Sequence, residues 1–215
     1  MSTAVPLTLW GRISSINVRK VMWTAQYLNL PIQRIEAGAA FGVVNTPEFQ
    51  RMNPNAMIPV LQDGDFTLWE SNVIVRYLCD KYSFGALYPT DAKQRFDAER
   101  WMDWQQSELN RASGPPFVQW IRTAPEQRNL VLIEEYTRKM NHWLGIVEAH
   151  LAIQPYMAGQ TLTMADIPLL CEVHRWWAVR KANGESNTTY PAIERWYAPL
   201  LAHPASKGVL DVPVS

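Results

Sequence analysis

The sequence predicts an α/β unit followed by an all-helical unit. Three observations carry this reading. Short strand-like apolar runs alternate with helical patterns only in the first part of the chain. Every periodic segment beyond residue 91 is helical. Between the two lies a stretch from Tyr82 to Thr90 that holds Gly85 and Pro89 and leads to Asp91, a cap candidate.

Taken in order, Leu7 to Trp10 reads as a short strand, and a polar break from Gly11 to Ser15 follows it. Val18, Val21, Met22, Ala25 and Leu28 then fall on one face of a helix, with Pro31 just past its end. Residues 32–35 form a weak second strand. Residues 37–55, rich in Gly, Asn and Pro, read as irregular with one short helix at 47–52. Two strands, 58–61 and 66–69, are joined across Asp63-Gly64, a hairpin signal. Glu70-Ser71 opens a helix that turns Val73, Ile74, Tyr77 and Leu78 inward. The order β-α-β-(α)-β-β-α suits a right-handed parallel crossover extended by an antiparallel hairpin. Four helices then fill residues 93–109, 125–151, 164–181 and 191–202, and Pro115-Pro116 is expected to interrupt the helical stretch between the first two. The expected domains are 1–83 and 92–215.

Composition narrows the function classes. With 215 residues, the chain can bury a sizeable core. Lys plus Arg number 20 and Asp plus Glu number 20, so net charge steers it neither to nucleic acid nor to an acidic membrane. No apolar run reaches the roughly 18 residues that a membrane span needs, and the opening MSTAVPLTLWGR has no leader pattern. Cys79 and Cys171 form no CxxC pair. They are expected as core thiols in a reducing, cytoplasmic setting. His142, His150, His174 and His203 are too scattered for a metal site. The 10 tryptophans suit helix packing and an aromatic pocket equally well.

Three segments carry possible chemistry. In Asn53-Pro54-Asn55-Ala56-Met57-Ile58-Pro59-Val60-Leu61, a proline stands at the mouth of a strand. Spacing alone favours an ordinary trans proline on an edge strand. A cis bond is the alternative, and it would turn the backbone of Ile58 outward to pair with an extended peptide. In Leu68-Trp69-Glu70-Ser71-Asn72, a strand runs into a helix start. Ser71 reads either as a plain helix cap or, with Glu70, as a cradle for the zwitterionic head of an α-amino acid. In Ser14-Ser15-Ile16-Asn17, a hydroxyl sits at the first strand-to-helix turn. No GxSxG elbow or nearby His and Asp makes it a triad nucleophile, so its chemical role is hydrogen bonding to an anion, and capping is the alternative.

As an ordered set, S-x-N-V-x-K-V, N-P-x-x-x-I-P-V-L and L-W-E-S-N-x-I-x-R-Y-L resemble the cytosolic glutathione transferase family, bacterial serine type. The resemblance covers essentially the whole chain. Gly159 to Ile167 looks like the family's buried capping motif, with Thr163 and Asp166 as a capping-box variant. The opening W-G-R, the W-M-D-W run at 101–104, the I-R-T-x-P-E-x-R stretch and the closing V-P-V-S are similar to the haloacid-conjugating transferase B type.

The resemblance implies a thioredoxin-like glutathione-binding domain, then a helical domain carrying an electrophile pocket. It implies glutathione as co-substrate, no metal, a homodimer, and conjugation of the thiolate to small electrophiles, haloacids among them. The implied thiol partner is Ser15, with Ser14 next and Asn17 assisting. Ile58, ahead of a cis Pro59, would pair with the cysteinyl backbone, and Glu70 and Ser71 would hold the γ-glutamyl head. Asn45 is the one plausible partner for the glycyl carboxylate. Met57 stands where some members carry a polar residue, and Ala56 stands where N-P-N-G is common, a change expected to shift that turn. Trp10, Arg12, Phe117, Trp120 and Arg122 would line the electrophile pocket, and Arg122 would attract a carboxylate or simply face solvent. A non-catalytic binding or interaction module of the same fold and a glutathione-dependent isomerase are the alternatives. Isomerases of that type show S-S-C at the turn, whereas Ile16 follows Ser14-Ser15 here.

Overall fold

The computed structural model describes residues 7–184 and 189–215. Residues 1–6 of the expected first domain, with the start of the opening segment, and 185–188 of the second lie outside it.

Strand β1 (Leu7–Trp10) leads into helix α1 (Ile16–Tyr27), and β2 (Ile32–Ile35) returns parallel to β1. Helix α2 (Pro47–Met52) starts at Thr46, whose hydroxyl accepts from the Phe49 amide. The hairpin of β3 (Val60–Asp63) and β4 (Phe66–Trp69) adds two antiparallel strands, giving the sheet order β2-β1-β3-β4. The expected strand 58–61 therefore begins two residues later. Asp63 belongs to the ladder, opposite Phe66, so the turn is made by Gly64 and Asp65. Helix α3 (Ser71–Ser83) packs beside α1 on one sheet face. Leu7, Leu9, Val18, Val21, Leu61, Ile74 and Leu78 are all buried there. This is a thioredoxin-like βαβ-ββα unit.

The remainder is helical. Helix α4 (Ala92–Trp104) starts on the Asp91 carboxylate and continues through a π turn (Gln105–Leu109) into α5 (Asn110–Phe117) and a second π turn (Val118–Arg122). The expected interruption at Pro115-Pro116 is thus corrected, because both prolines lie inside α5. Proline lacks the N–H and crowds the carbonyl four residues back. Wider π turns on either side let the helix accommodate that loss. Helix α6 (Leu130–Ile153) begins at its Asn129 cap, later than the expected 125, because Pro125–Gln127 forms a separate 3-10 turn. Helices α7 (Asp166–Asn183) and α8 (Pro191–Ala202) complete the unit.

The main core joins the two halves. Trp23, Val75 and Cys79 from the first lie in one buried cluster with Met102, Leu109, Leu144, Leu170 and Trp176 from the second. Helix α1 is consequently covered on two sides, which buries Arg19 and Lys20 as well as its apolar face. At the first residue of α7, Asp166 is fully buried. Its Oδ1 accepts from the Met157 amide and the Trp196 indole at 2.9 Å each, and its Oδ2 accepts from the Thr163 amide at 2.9 Å and hydroxyl at 3.3 Å. Burial raises its carboxyl to about 6 against these donors, so it is ionised at neutral pH. Among the described residues, no helix is long and apolar enough to cross a membrane.

Candidate active site

The first strand ends against the first helix. A Cβ on Gly11 would stand 2.5 Å from Val18 Cγ2, so only glycine allows β1 to turn so closely into α1. Ser15 is the cap residue of α1, with φ −78° and ψ 124°, yet its side chain makes no capping bond. The capping alternative is therefore not realised. The hydroxyl stands idle where the helix start presents free amides and a positive dipole end.

Ser14 and Ser15 line a cavity of about 240 Å³ between α1 and the helical unit. Arg12, Arg19, Arg122 and Arg175 line the same cavity, with Phe117, Cys171, His174 and Val214. Four arginines and no Asp or Glu line this space among the described residues, so the cavity is cationic. His174 adds no charge at neutral pH: burial and the nearby Arg19 lower its pKa to about 4, and its Nδ1 lies 2.7 Å from the Tyr197 hydroxyl. Burial pushes the Cys171 thiol up to about 12, so it is a poor nucleophile, in line with a core thiol.

Of the five residues expected in an electrophile pocket, Arg12, Phe117 and Arg122 meet here, whereas Trp10 and Trp120 do not line it. Side chains alternate along β1. Leu9 points into the core under α1 and α3, so Trp10 points to the other face, where it meets Phe49 edge-on and donates to Gln62 at 2.7 Å. Trp120 falls off the cavity row because bonds in a π turn run i→i+5. That geometry stacks Arg122 on Phe117, the guanidinium 4.6 Å from the ring centroid. Trp120 instead lies under Arg128 and packs on the helical core. Arg122 remains exposed; it donates to the main-chain oxygen of Ser215 at 2.6 Å, and partial desolvation together with Arg12 and Arg175 lowers its pKa. Asn17 is not at the cavity wall, and its Oδ1 is buried without a partner.

The other expected residues lie along the sheet end. The Ile58-Pro59 bond is cis, against the reading that spacing alone favours. Ile58 stands ahead of β3, and its side chain packs near Gly11 and Gly38, beside Arg12. The turn before it survives the replacement of glycine: Ala56 adopts φ 53°, and Asn53 holds the loop by donating to the Met57 carbonyl at 2.8 Å and accepting from the Asn55 amide at 3.0 Å. Glu70 is exposed at the cap of α3 with φ 73°, a strained position for a residue with a Cβ. Ser71 is the first helical residue and is buried, so it is not the cap. Asn45 is exposed at the far end, and Met57 is exposed as well.

Sequence reasoning did not find Arg19, Arg175 or His174. Arg19 and Lys20 look like the polar face of an amphipathic helix, and Arg175 and His174 sit inside α7 with no motif around them.

Residues 5–80 match the family described as glutathione S-transferase, N-terminal domain, and residues 117–204 match glutathione S-transferase, C-terminal domain. The glutathione S-transferase GstB of Escherichia coli is 36% identical over 211 residues, covering 97% of this chain and 100% of that protein. A theta-class glutathione S-transferase from the citrus canker pathogen Xanthomonas axonopodis pv. citri, solved with glutathione bound, superposes with a TM-score of 0.92 at 36% identity. That match covers 98% of this chain and 100% of the other.

Proposed function

Because the chain belongs to the glutathione S-transferase family, we propose that it conjugates the glutathione thiolate to small electrophiles, haloacids among them, with Ser15 as the thiolate's hydrogen-bond donor. The observation that carries this reading is the idle Ser15 hydroxyl at a helix start, in one cavity with Arg12, Phe117 and Arg122.

A free thiol has a pKa of about 8.5, so little thiolate exists at neutral pH. Lowering it by about two units requires roughly 2.7 kcal/mol of preferential thiolate stabilisation. The Ser15 hydroxyl, the α1 amides and the surrounding guanidinium groups all favour the anion. The thiolate then attacks the halogen-bearing carbon of a haloacid. A carbon–sulfur bond forms, the carbon–halogen bond breaks, and the electron pair leaves with the halide. Ser14 stands in reserve on the same cavity wall. Ile58 meets the cysteinyl backbone, Glu70 and Ser71 meet the γ-glutamyl head, and Asn45 meets the glycyl end. The strained Glu70 backbone supports this, since such strain gathers at ligand sites. Arg12, Phe117 and Arg122 receive the electrophile.

The first unit, residues 1–83, binds glutathione, and residues 92–215 supply the electrophile side. Exposed Phe66, Trp69 and Val73 on β4 and α3, with Phe96 on α4, support a homodimer. The unpaired, buried Cys79 and Cys171 support a reducing, cytoplasmic setting.

The test is a difference spectrum of the protein with glutathione across pH. A thiolate absorption band should grow in near neutral pH, and chloroacetate should consume it with release of chloride. A protein that binds glutathione yet shows no band below pH 8 would fit a non-catalytic module instead.

A further inference from the structure

One group of buried polar residues, which the reaction above draws on only through Arg175, runs from the first unit to the cavity wall. Lys20 is fully buried on α1. Its ammonium donates to Asn72 Oδ1 at 3.1 Å, Gln105 Oε1 at 3.0 Å and Gln106 Oε1 at 3.3 Å. An ammonium has three donors, and here they meet three neutral amide oxygens and no carboxylate. Gln105 cannot turn over, because its Oε1 also accepts from Asn72 Nδ2 at 3.2 Å while its Nε2 donates to Glu172 Oε2 at 2.8 Å. Glu172, itself fully buried, uses Oε1 for Ser113 and for Arg175 Nη2 at 2.7 Å. Arg175 Nη2 also donates to Ser113 and to Asn110 Oδ1 at 2.9 Å. Arg175 is 8% exposed, lines the cavity, and has its Nε buried without a partner.

The charges do not cancel. Lys20 and Arg175 are positive and Glu172 alone is negative, so this buried chain holds one net positive charge. Arg19, 1% exposed on the same wall, is met by the carbonyls of Ile13, Val212 and Pro213 rather than by a carboxylate, and its Nη1 has no partner. A buried charge left unmatched is costly, and a bound anion relieves that cost.

We propose that the chain Lys20–Gln105–Glu172–Arg175 makes the cavity selective for electrophiles that carry an anionic group. Arg175 faces the ligand, and Lys20, Gln105 and Glu172 are positioning residues. The inference rests on the glutathione reading above. Arg175 is preorganised for this: its plane is fixed by three acceptors through one nitrogen, and Phe117 lies 5.4 Å beneath it. The chain also makes anion binding depend on pH. Burial lowers the Lys20 pKa to about 8, opposed by Glu172, Cys171 and Glu70 and reinforced by Arg175. These groups lie on α7 and at the start of α3, while the π-turn side chains that bond Lys20 are the neutral Gln105 and Gln106. Below about 8 Lys20 is charged, and above it the positive charge that favours an anion fades.

The test compares two unreactive thioethers, S-carboxymethylglutathione and S-methylglutathione, by calorimetry. Neither has a thiol to titrate, and they differ by one carboxylate in the electrophile cavity. Their affinity ratio cancels any change in the shared tripeptide. In the parent the carboxymethyl form should bind about tenfold tighter at pH 7, with the advantage falling to about threefold at pH 9.5. In Lys20→Met the ratio should be about threefold at both pH values, and in Arg175→Met it should approach one. The pH series on the parent needs no variant, so a Lys20→Met chain that did not fold would still leave the idea exposed. Equal binding of both thioethers by the parent would overturn it, as would a ratio independent of pH. An unchanged ratio with unchanged pH dependence in Lys20→Met would do the same. If neither thioether bound, the glutathione reading would fail and this inference with it.

Discussion

Helix α7 begins with four donors gathered onto the Asp166 carboxylate, whereas α1 begins with the Ser15 hydroxyl unused by the fold. The two starts face the same local problem, since the first amides of any helix lack partners within it. At α7 it is met within the fold: the Asp166 amide donates to the Thr163 carbonyl at 3.1 Å and the Ala165 amide to the Thr163 hydroxyl at 3.4 Å, while the buried Asp166 carboxylate ties Met157, Thr163 and Trp196 to this start. At Ser15 it is left open, on the wall of a cavity. The difference teaches how to separate stabilising helix starts from functional ones. Satisfied, buried polar groups hold the fold, and idle ones at a cavity wall are available to a ligand.

Substitutions at the two starts should therefore fail in different ways. The largest effect is expected at the closed start. Asp166→Asn offers one acceptor oxygen where the carboxylate has two, leaving two buried donors unmatched. Thermal unfolding should show a loss of about 3 kcal/mol or more, roughly 6–12 °C for a chain of this size, with the KM for glutathione unchanged in the fraction that folds. The open start should show the reverse. Ser15→Ala should lower kcat for conjugation about 10²-fold or more while thermal stability stays within about 0.5 kcal/mol. Stability falling together with activity would return Ser15 to an ordinary cap.

Two smaller changes sharpen the comparison. Gly11→Ala puts a methyl 2.5 Å from Val18 and pushes β1 away from the open start. It should cost about 1–3 kcal/mol in chemical denaturation and weaken conjugation as Ser15 moves. Ala56→Gly relieves a left-handed alanine and should add about 0.5–1 kcal/mol by the same measurement. No gain would mean that the strain at Ala56 is already offset by the Asn53 contacts.

The element order was legible in the sequence because the helical and strand periods, the hairpin signal at Asp63-Gly64 (one position off the actual turn), Pro31 past α1 and the Asp91 cap are local signals. Helix α5 was not, since paired prolines argue against a helix and nothing local announces a π turn. In the site, Ser14, Ser15, Arg12, Phe117 and Arg122 were named from sequence and share the cavity. Arg19, Lys20, Glu172 and Arg175 were invisible for one physical reason. A charged residue on a helix reads as solvent-facing until a second layer packs over it, and the layer that covers α1 comes from the far half of the chain.

The same packing ties α1 to residues made much later. Arg19 donates to the carbonyls of Val212 and Pro213, and the Trp23 indole donates to the Ser206 hydroxyl at 3.0 Å, across 183 to 194 positions of sequence. During synthesis at about 5–20 residues per second, these partners emerge on the order of tens of seconds after the helix that needs them. A nascent chain therefore carries an arginine and a tryptophan waiting for their acceptors until the stretch from Ser206 to Pro213 clears the ribosome.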